Sequence, residues 1–192
     1  DMASGADYVG FVVNAGTRRS LNIDRARELM SLCARPRVVV STFTDADALV
    51  GLVSSLEPEV LQISAPVDTV TLKKVRRSIG CQLWAAVHIG RGDEKERLSL
   101  VKENVDAVLL DTYSKQGGGV GLAHDWNASA RLKRAVSPMP IILAGGLDSD
   151  NVEYAVRTVG PFAVDVSSGV EINGAKDPER VKKFIKAVRR CL

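Results

Sequence analysis

Two similar stretches decide the fold of this chain: Pro140-Ile-Ile-Leu-Ala-Gly-Gly146 and Phe162-Ala-Val-Asp-Val-Ser-Ser-Gly169. In each, a short apolar run typical of a buried strand ends in glycines or serines. Glycines let the backbone approach a ligand closely, and serine hydroxyls with free backbone N–H groups suit an anion. Two neighbouring strands that end in this way form the usual phosphate site of a (β/α)8 barrel. The predicted phosphate ligands are Gly145, Gly146, Ser167, Ser168 and Gly169.

The same strand–loop–helix unit recurs along the whole chain. The predicted strands are Tyr8–Val13, Arg37–Ser41, Val60–Ile63, Gln82–Val87, Ala107–Leu110, Ile141–Ala144 and Ala163–Val166. Amphipathic segments separate them, and Asn22 is predicted to cap the first of these helices. The last helix is predicted from Pro178 to Arg190, with Asp177 as its N-cap. Strands that are apolar through nearly their whole length and alternate with helices indicate a parallel sheet covered by helices.

Seven such units favour an α/β fold, a (β/α)8 TIM barrel forming one domain over residues 1–192. A barrel closes with eight strands, so we expect the first strand to precede residue 1 and to be missing from the given sequence. The alternative is an open doubly wound sheet, which needs no eighth strand. Polar side chains recur at the C-terminal ends of the strands all along the chain, and this favours the barrel.

Composition limits the possible partners. The net charge is +3 and no basic run interleaves with aromatic residues, so we expect no nucleic acid partner but a small phosphorylated molecule. No apolar run is long enough to cross a bilayer, so we expect no membrane partner. The three cysteines, Cys33, Cys81 and Cys191, lack metal-type or paired spacing, which favours structural roles and a cytoplasmic location.

Two carboxylates are candidates for chemistry. Asp111 ends an apolar run, which places it at the strand end where barrel active sites lie. An acid at an apolar rim tends to have a raised pKa, which suits a general acid. Asp165 lies two residues before Ser167, so both should point to the barrel interior, where an Asp needs a partner or a ligand. A loop cap for Asp111 and an internal ion pair for Asp165 are the alternative interpretations.

Other polar groups lie in the predicted loops. Arg18 and Arg19 follow the first strand, and one of them could bind a carboxylate through two parallel hydrogen bonds. The stretch Gln116-Gly-Gly-Gly-Val-Gly121 is expected to form a mobile flap over the mouth. His88 is expected to pack or to support the site, and Trp126 is expected in the core.

Several strings together resemble the phosphoribosylanthranilate isomerase family of tryptophan biosynthesis. The strings are Gly5-Ala-Asp-Tyr-Val-Gly-Phe11, Thr17-Arg-Arg19, Leu109-Leu-Asp111, Gly118-Gly-Val-Gly121 with Asp125-Trp126, Leu143-Ala-Gly-Gly-Leu147 with Asn151-Val152, and Val164-Asp-Val-Ser-Ser-Gly-Val-Glu171 with Gly174, Lys176 and Asp177. The resemblance spans nearly the whole chain, and its last two strings are the most specific.

The resemblance implies an enzyme and a set of roles. The expected reaction is the Amadori rearrangement of N-(5'-phosphoribosyl)anthranilate, without a cofactor or a metal. Asp111 would be the general acid, Arg19 would hold the anthranilate carboxylate, and Asp165 would line the anthranilate side. The family's general base is a cysteine on the first strand, so we expect it on the strand that the given sequence lacks. A chain that truly began at residue 1 would then lack catalysis.

One further difference from the family concerns Gln62-Ile-Ser-Ala65, where many relatives carry Gln-x-His-Gly, so the resemblance implies no role for Ser64. Two alternatives stay open. One is another phosphosugar barrel, such as indoleglycerol-phosphate synthase or a pentose-phosphate epimerase, although the strands supply no catalytic lysine and only His88 as a metal ligand. The other is an inactive barrel fragment that binds phosphate ligands. A monomer and a homodimer are both compatible with the sequence.

Overall fold

A computed structural model describes residues 5–113 and 123–191 of the chain. Their central feature is one parallel sheet of seven strands in the spatial order β1-β2-β3-β4-β5-β6-β7. The strands are β1 (Val9–Val12), β2 (Arg37–Ser41), β3 (Val60–Ile63), β4 (Gln82–Ile89), β5 (Ala107–Thr112), β6 (Ile141–Leu143) and β7 (Ala163–Val164). Every strand pairs with its successor in the chain, so the sheet winds in one direction. This order confirms the barrel-type winding and rules out a doubly wound sheet, in which the strand order reverses.

In the described residues, an α-helix follows each of the seven strands of this sheet. These helices are α1 (Ile23–Ser31), α2 (Ala46–Leu56), α3 (Thr69–Ser78), α4 (Glu94–Val101), α5 (Trp126–Val136), α6 (Val152–Val159) and α7 (Pro178–Arg189). Asn22 and Asp177 cap α1 and α7 as predicted, because each side chain accepts a hydrogen bond from a backbone N–H in the first turn. A two-stranded antiparallel hairpin, β8 (Glu171–Ile172) and β9 (Ala175–Lys176), lies between β7 and α7.

The two faces of the sheet have separate cores. The outer face packs against the helices through large aliphatic side chains such as Leu61, Leu83 and Leu110. The inner face carries a second cluster, which includes Trp84, Ala86 and Leu109. Since successive side chains of a strand point to opposite faces, the buried outer residues fix which residues face the interior.

The strand boundaries differ from the prediction at two important positions. Strand β5 continues to Thr112, because its backbone pairs with β4 in register up to Ile89–Thr112. Asp111 therefore lies within a strand rather than after it. Strand β7 is shorter than the predicted Ala163–Val166, since β6 pairs with it only at Ala163 and Val164. Asp165 lies just beyond its end. Within the described residues, β1 and β7 form the two edges of the sheet.

The loop after β6 depends on a glycine. Gly145 has a φ of +85°, a left-handed conformation that L side chains rarely adopt. A Cβ at this position would also overlap the backbone and side chain of Thr112 at the end of β5. By contrast, Gly51 lies on the exposed side of α2, and a Cβ there would meet no atom within 4 Å.

We expect opposite effects of alanine at these two glycines. Gly145→Ala should lower the free energy of unfolding by more than about 1 kcal/mol, since it adds left-handed strain and a steric overlap. Gly51→Ala should raise it by up to about 1 kcal/mol, because alanine favours a helix interior. Urea denaturation of both variants measures these changes. Equal stability of the Gly145→Ala variant and the parent would contradict the described loop.

Candidate active site

Three polar side chains lie on the inner face at the C-terminal end of the sheet. His88 and Asp111 are register partners on β4 and β5. Val164 and Val166 pack into the outer core, so Asp165 between them faces the interior. The sheet thus brings His88, Asp111 and Asp165 to one mouth, as expected for the two carboxylates.

Asp111 is a carboxylic acid in a poorly solvated position. Its Oδ1 accepts a hydrogen bond of 2.8 Å from the backbone N–H of Thr112. Burial raises the pKa of Asp111 above its ordinary value, and the hydrogen bond from Thr112 lowers it by a smaller amount. Since burial penalises the charged form, Asp111 tends to keep its proton to a higher pH than an exposed aspartate does.

Asp165 adds a second carboxyl group close enough to interact with the first. Burial and, to a smaller extent, the negative charge of Asp111 raise the pKa of Asp165 to about 6, while Lys176 opposes both effects. The residue is nevertheless accessible to solvent from the mouth. Water therefore screens part of these interactions, while the pKa of Asp165 stays above its ordinary value. A carboxyl group whose pKa is raised in this way can exchange a proton closer to neutral pH than an exposed aspartate can.

The loops after β6 and β7 pack directly against each other. Gly145 and Gly146 both have positive φ, and the Asn151 side chain donates a hydrogen bond of 2.8 Å to the Gly146 carbonyl. A Cβ at Gly169 would overlap the Leu147 carbonyl, so only glycine fits between the loops.

The backbone N–H groups of this double loop are available to a ligand. Ser168–Val170 form one turn of 3-10 helix after Ser167. Among the hydrogen bonds of residues 5–113 and 123–191, none uses the N–H of the five predicted phosphate ligands, which are Gly145, Gly146, Ser167, Ser168 and Gly169. Unpaired N–H groups at a helical N-terminus favour an anion.

Arg19 lies at the same end of the sheet, in the loop after β1. Its Nε and Nη2 donate to the two carboxylate oxygens of Glu171 over 2.8 and 2.9 Å. Arg18 and Lys176 also donate to Glu171. The sequence interpretation assigned no role to Glu171 or Lys176. The one signal for them was their place in the last string that carried the family resemblance.

Other polar side chains at this end of the sheet lie around the groups described above. The ring of His88 is partly buried, and burial lowers its pKa, so it stays neutral near pH 7. His124 bridges Thr112 Oγ1 at 2.9 Å and Ser129 Oγ at 2.6 Å, which connects β5 to α5. Ser64 receives a hydrogen bond from the Gln62 side chain at 3.3 Å. The predicted glycine flap, Gln116–Gly121, lies outside the described residues.

The described part of the chain contains neither a candidate metal site nor a candidate membrane-spanning helix. No cluster of three His, Cys, Asp or Glu side chains there could hold a metal ion. No helix within it has the length and apolar character that a membrane crossing requires.

Comparison with known proteins identifies the family. The family model described as N-(5'phosphoribosyl)anthranilate (PRA) isomerase matches residues 2–187. The chain belongs to this family. It is 38% identical to the N-(5'-phosphoribosyl)anthranilate isomerase of Methanothrix thermoacetophila, over 99% of this chain and 91% of that protein. The corresponding isomerase of Methanopyrus kandleri is 40% identical over 97% of this chain and 90% of its own length.

Solved structures of PRA isomerases have the same fold. The Thermotoga maritima enzyme superimposes with a TM-score of 0.86 at 30% identity, covering 98% of this chain and 90% of that one. A phosphoribosylanthranilate isomerase in complex with reduced 1-(o-carboxyphenylamino)-1-deoxyribulose 5-phosphate gives a TM-score of 0.82 at 29% identity, with 98% and 90% coverage.

The carboxyl pair of this PRA isomerase family member makes stability depend on pH. A folded-state pKa of about 6 for Asp165 lies above the unfolded value of about 3.9. The folded state therefore binds more protons between roughly pH 4 and 6, and stability falls as pH rises through that window. We expect Asp165→Asn to be more stable than the parent at pH 7, with a difference that shrinks towards pH 4.

Asp150→Asn provides a control of opposite sign. The hydrogen bond from Lys183 lowers the pKa of Asp150, so its ionised form stabilises the fold at pH 7 and that stability is lost in acid. Melting temperatures of the Asp165→Asn variant between about pH 4 and 7, and of the Asp150→Asn variant between about pH 2 and 5, measure the two trends. A less stable Asp165→Asn variant at pH 7 would contradict the described environment.

Proposed function

We propose that this chain converts N-(5'-phosphoribosyl)anthranilate into 1-(2-carboxyphenylamino)-1-deoxyribulose 5-phosphate in tryptophan biosynthesis. The observation that carries the proposal is the position of Asp111. This acid, with a raised pKa, lies at the same mouth as the two loops with available N–H groups and as Arg19. Family membership indicates the substrate. The mouth contains a candidate group for the sugar ring, for the phosphate and for the carboxylate of that substrate.

Asp111 would act as the general acid. Its carboxyl group gives a proton to the furanose ring oxygen, the bond between that oxygen and C1 breaks, and the anthranilate nitrogen forms a protonated Schiff base at C1. Loss of the C2 proton to a base then gives an enolamine, which tautomerises to the ketone. One proton enters and one leaves, so the overall step is an isomerisation. No described residue is assigned as the base.

The two ends of the substrate carry negative charge, and each has a candidate partner. The backbone N–H groups of Gly145, Gly146, Ser167, Ser168 and Gly169 would bind the phosphate. Arg19 would hold the anthranilate carboxylate, since a guanidinium matches a carboxylate with two parallel hydrogen bonds. Asp165 would line the pocket beside the aromatic ring.

The proposal also includes the cellular compartment and the oligomeric state of the protein. The three cysteines are unpaired, which fits a reducing compartment, and we place the reaction in the cytoplasm. A monomer and a homodimer are both compatible with this site, because the groups named above come from a single chain.

Asp111→Asn is the direct test. The variant should lose turnover by at least about 100-fold, because asparagine has no acidic proton to give to the ring oxygen. Turnover is measured as the decay of anthranilate fluorescence. Binding of inorganic phosphate, measured by calorimetry, should be retained, since the phosphate loops are unchanged.

Asp45→Asn is the matched control. Asp45 caps α2 at the same end of the sheet, and asparagine caps a helix equally well, so turnover should stay close to that of the parent. Full turnover by the Asp111→Asn variant would remove Asp111 from the mechanism. Absence of turnover by the full-length protein would overturn the proposed function.

A further inference from the structure

Glu171 is a buried carboxylate with three cationic partners. Its side chain is 6% exposed and lies at the start of the β8–β9 hairpin. Arg18 Nη2 donates to Oε2 over 2.8 Å, Arg19 reaches both oxygens, and Lys176 Nζ donates to Oε1 over 3.2 Å. Three cations around one anion leave an excess of positive charge at the mouth, where an anionic substrate would bind.

The pairing with Arg19 uses only one edge of the guanidinium. Nε and Nη2 face Glu171, whereas Nη1 forms no hydrogen bond with any residue that the structure describes. The Arg19 side chain is 21% exposed, so it is accessible to a ligand. A guanidinium can grip a second carboxylate through its Nη1–Nη2 edge, because that edge has the same fork geometry. Glu171 therefore does not block Arg19 but fixes the direction in which its free edge points.

The contacts of Glu171 span the two edges of the sheet. Arg18 and Arg19 follow β1, while Glu171 follows β7, about 150 residues later in the chain. Lys176 joins the cluster to a predicted phosphate ligand, since its Nζ donates to the Ser167 carbonyl over 2.7 Å. Arg18 also lies against Gly174 in the hairpin turn, where a Cβ would collide with its guanidinium. The cluster therefore connects the loop after β1, which is proposed to bind the aryl carboxylate, to the loop after β7, which is proposed to bind the phosphate.

We propose that Glu171 is a positioning residue that orients Arg19 towards the aryl carboxylate and so sets the preference for a carboxylated over an uncarboxylated aryl amine. This inference rests on the proposed function, because it takes Arg19 as the partner of that carboxylate. Glu171 touches no reacting atom and acts through Arg19 alone. Without it, a long arginine side chain would lose two charge-assisted hydrogen bonds and would sample several rotamers.

Glutamate is suited to this role because it stays charged. The hydrogen bond from Arg19, assisted by Lys176, lowers the pKa of Glu171 to about 2. The carboxylate therefore keeps its partners across the pH range in which an enzyme works.

A second ion pair provides a control that distinguishes a positioning role of Glu171 from a purely structural one. Arg37 Nε and Nη2 donate to the two oxygens of Glu59 over 2.9 and 2.6 Å, in the same two-point geometry. Arg37 begins β2, so this pair lies at the opposite end of the sheet from the mouth. Glu59→Gln therefore removes an equivalent ion pair without touching the proposed site.

Two ligands test the proposal by calorimetry on the full chain. One is reduced 1-(o-carboxyphenylamino)-1-deoxyribulose 5-phosphate, and the other is the same molecule with an unsubstituted phenyl ring. The parent should bind the carboxylated ligand at least about tenfold more tightly, the size expected for a charge-assisted hydrogen-bond pair. In Glu171→Gln this ratio should fall by about tenfold, while Glu59→Gln should keep the parental ratio.

A double-mutant cycle tests whether Glu171 acts through Arg19. In the Arg19→Met background, Glu171→Gln should change the ratio by less than about twofold, because the oriented group is already gone. If the Glu171→Gln variant does not fold, Glu171→Asp replaces it. Aspartate keeps the charge but is one methylene shorter, so it should also lower the ratio.

Three results would overturn the inference. The first is an unchanged ratio in Glu171→Gln or Glu171→Asp, even with a lowered melting temperature. The second is a change of the same size in the parent and Arg19→Met backgrounds. The third is the absence of carboxylate preference in the parent. Turnover by the parent chain is measured separately, so either of the first two results with an active parent rejects the role of Glu171 and leaves the proposed function standing.

Discussion

The constraint on which the structure depends is the alternation of side chains between the two faces of a curled parallel sheet. Val87, Leu110 and Val164 are held in the outer core under the helices. A strand that slipped by one residue would expose these side chains and bury their polar neighbours against the helices. The outer core therefore fixes the register, and the register turns His88, Asp111 and Asp165 inwards. The packing that stabilises the fold also assembles the mouth.

The mouth contains carboxylates in two opposite environments. Burial raises the pKa of Asp111, and burial together with the charge of Asp111 raises the pKa of Asp165 to about 6. Glu171 faces three cations, so its pKa falls to about 2. One chain thus provides both carboxyl groups that retain protons and a carboxylate that is permanently charged. Groups of the first kind are suited to proton transfer, and those of the second kind are suited to holding cations in place.

The sequence predicted those parts of the fold and site that local pattern determines. The alternation of apolar strands and helices gave seven units, and local chemistry gave the caps at Asn22 and Asp177. The length of β5 was not predictable, because Asp111 and Thr112 join the strand only through pairing with His88 and Ile89. The role of Glu171 was also out of reach, since its arginine partners lie more than 150 positions away. A pairing between distant loops leaves no periodic signal along the chain.

The groups of the mouth are held in place by different forces. Asp111 lies in an interior strand, where backbone pairing on both sides fixes its position. Arg19 and the second phosphate loop follow the edge strands β1 and β7, which do not pair with each other in the described residues. Ion pairs connect these edges instead. Glu171 joins them at the mouth. At the opposite end of the sheet, both carboxylate oxygens of Asp7 accept hydrogen bonds from Arg189, each over 2.7 Å. Under the proposed function, Asp111 is therefore fixed by hydrogen-bonded strands, whereas Arg19 depends on its ion pair with Glu171. Since salt screens exposed ion pairs more than buried ones, rising ionic strength should weaken the exposed Asp7–Arg189 pair before it weakens the buried Glu171 cluster.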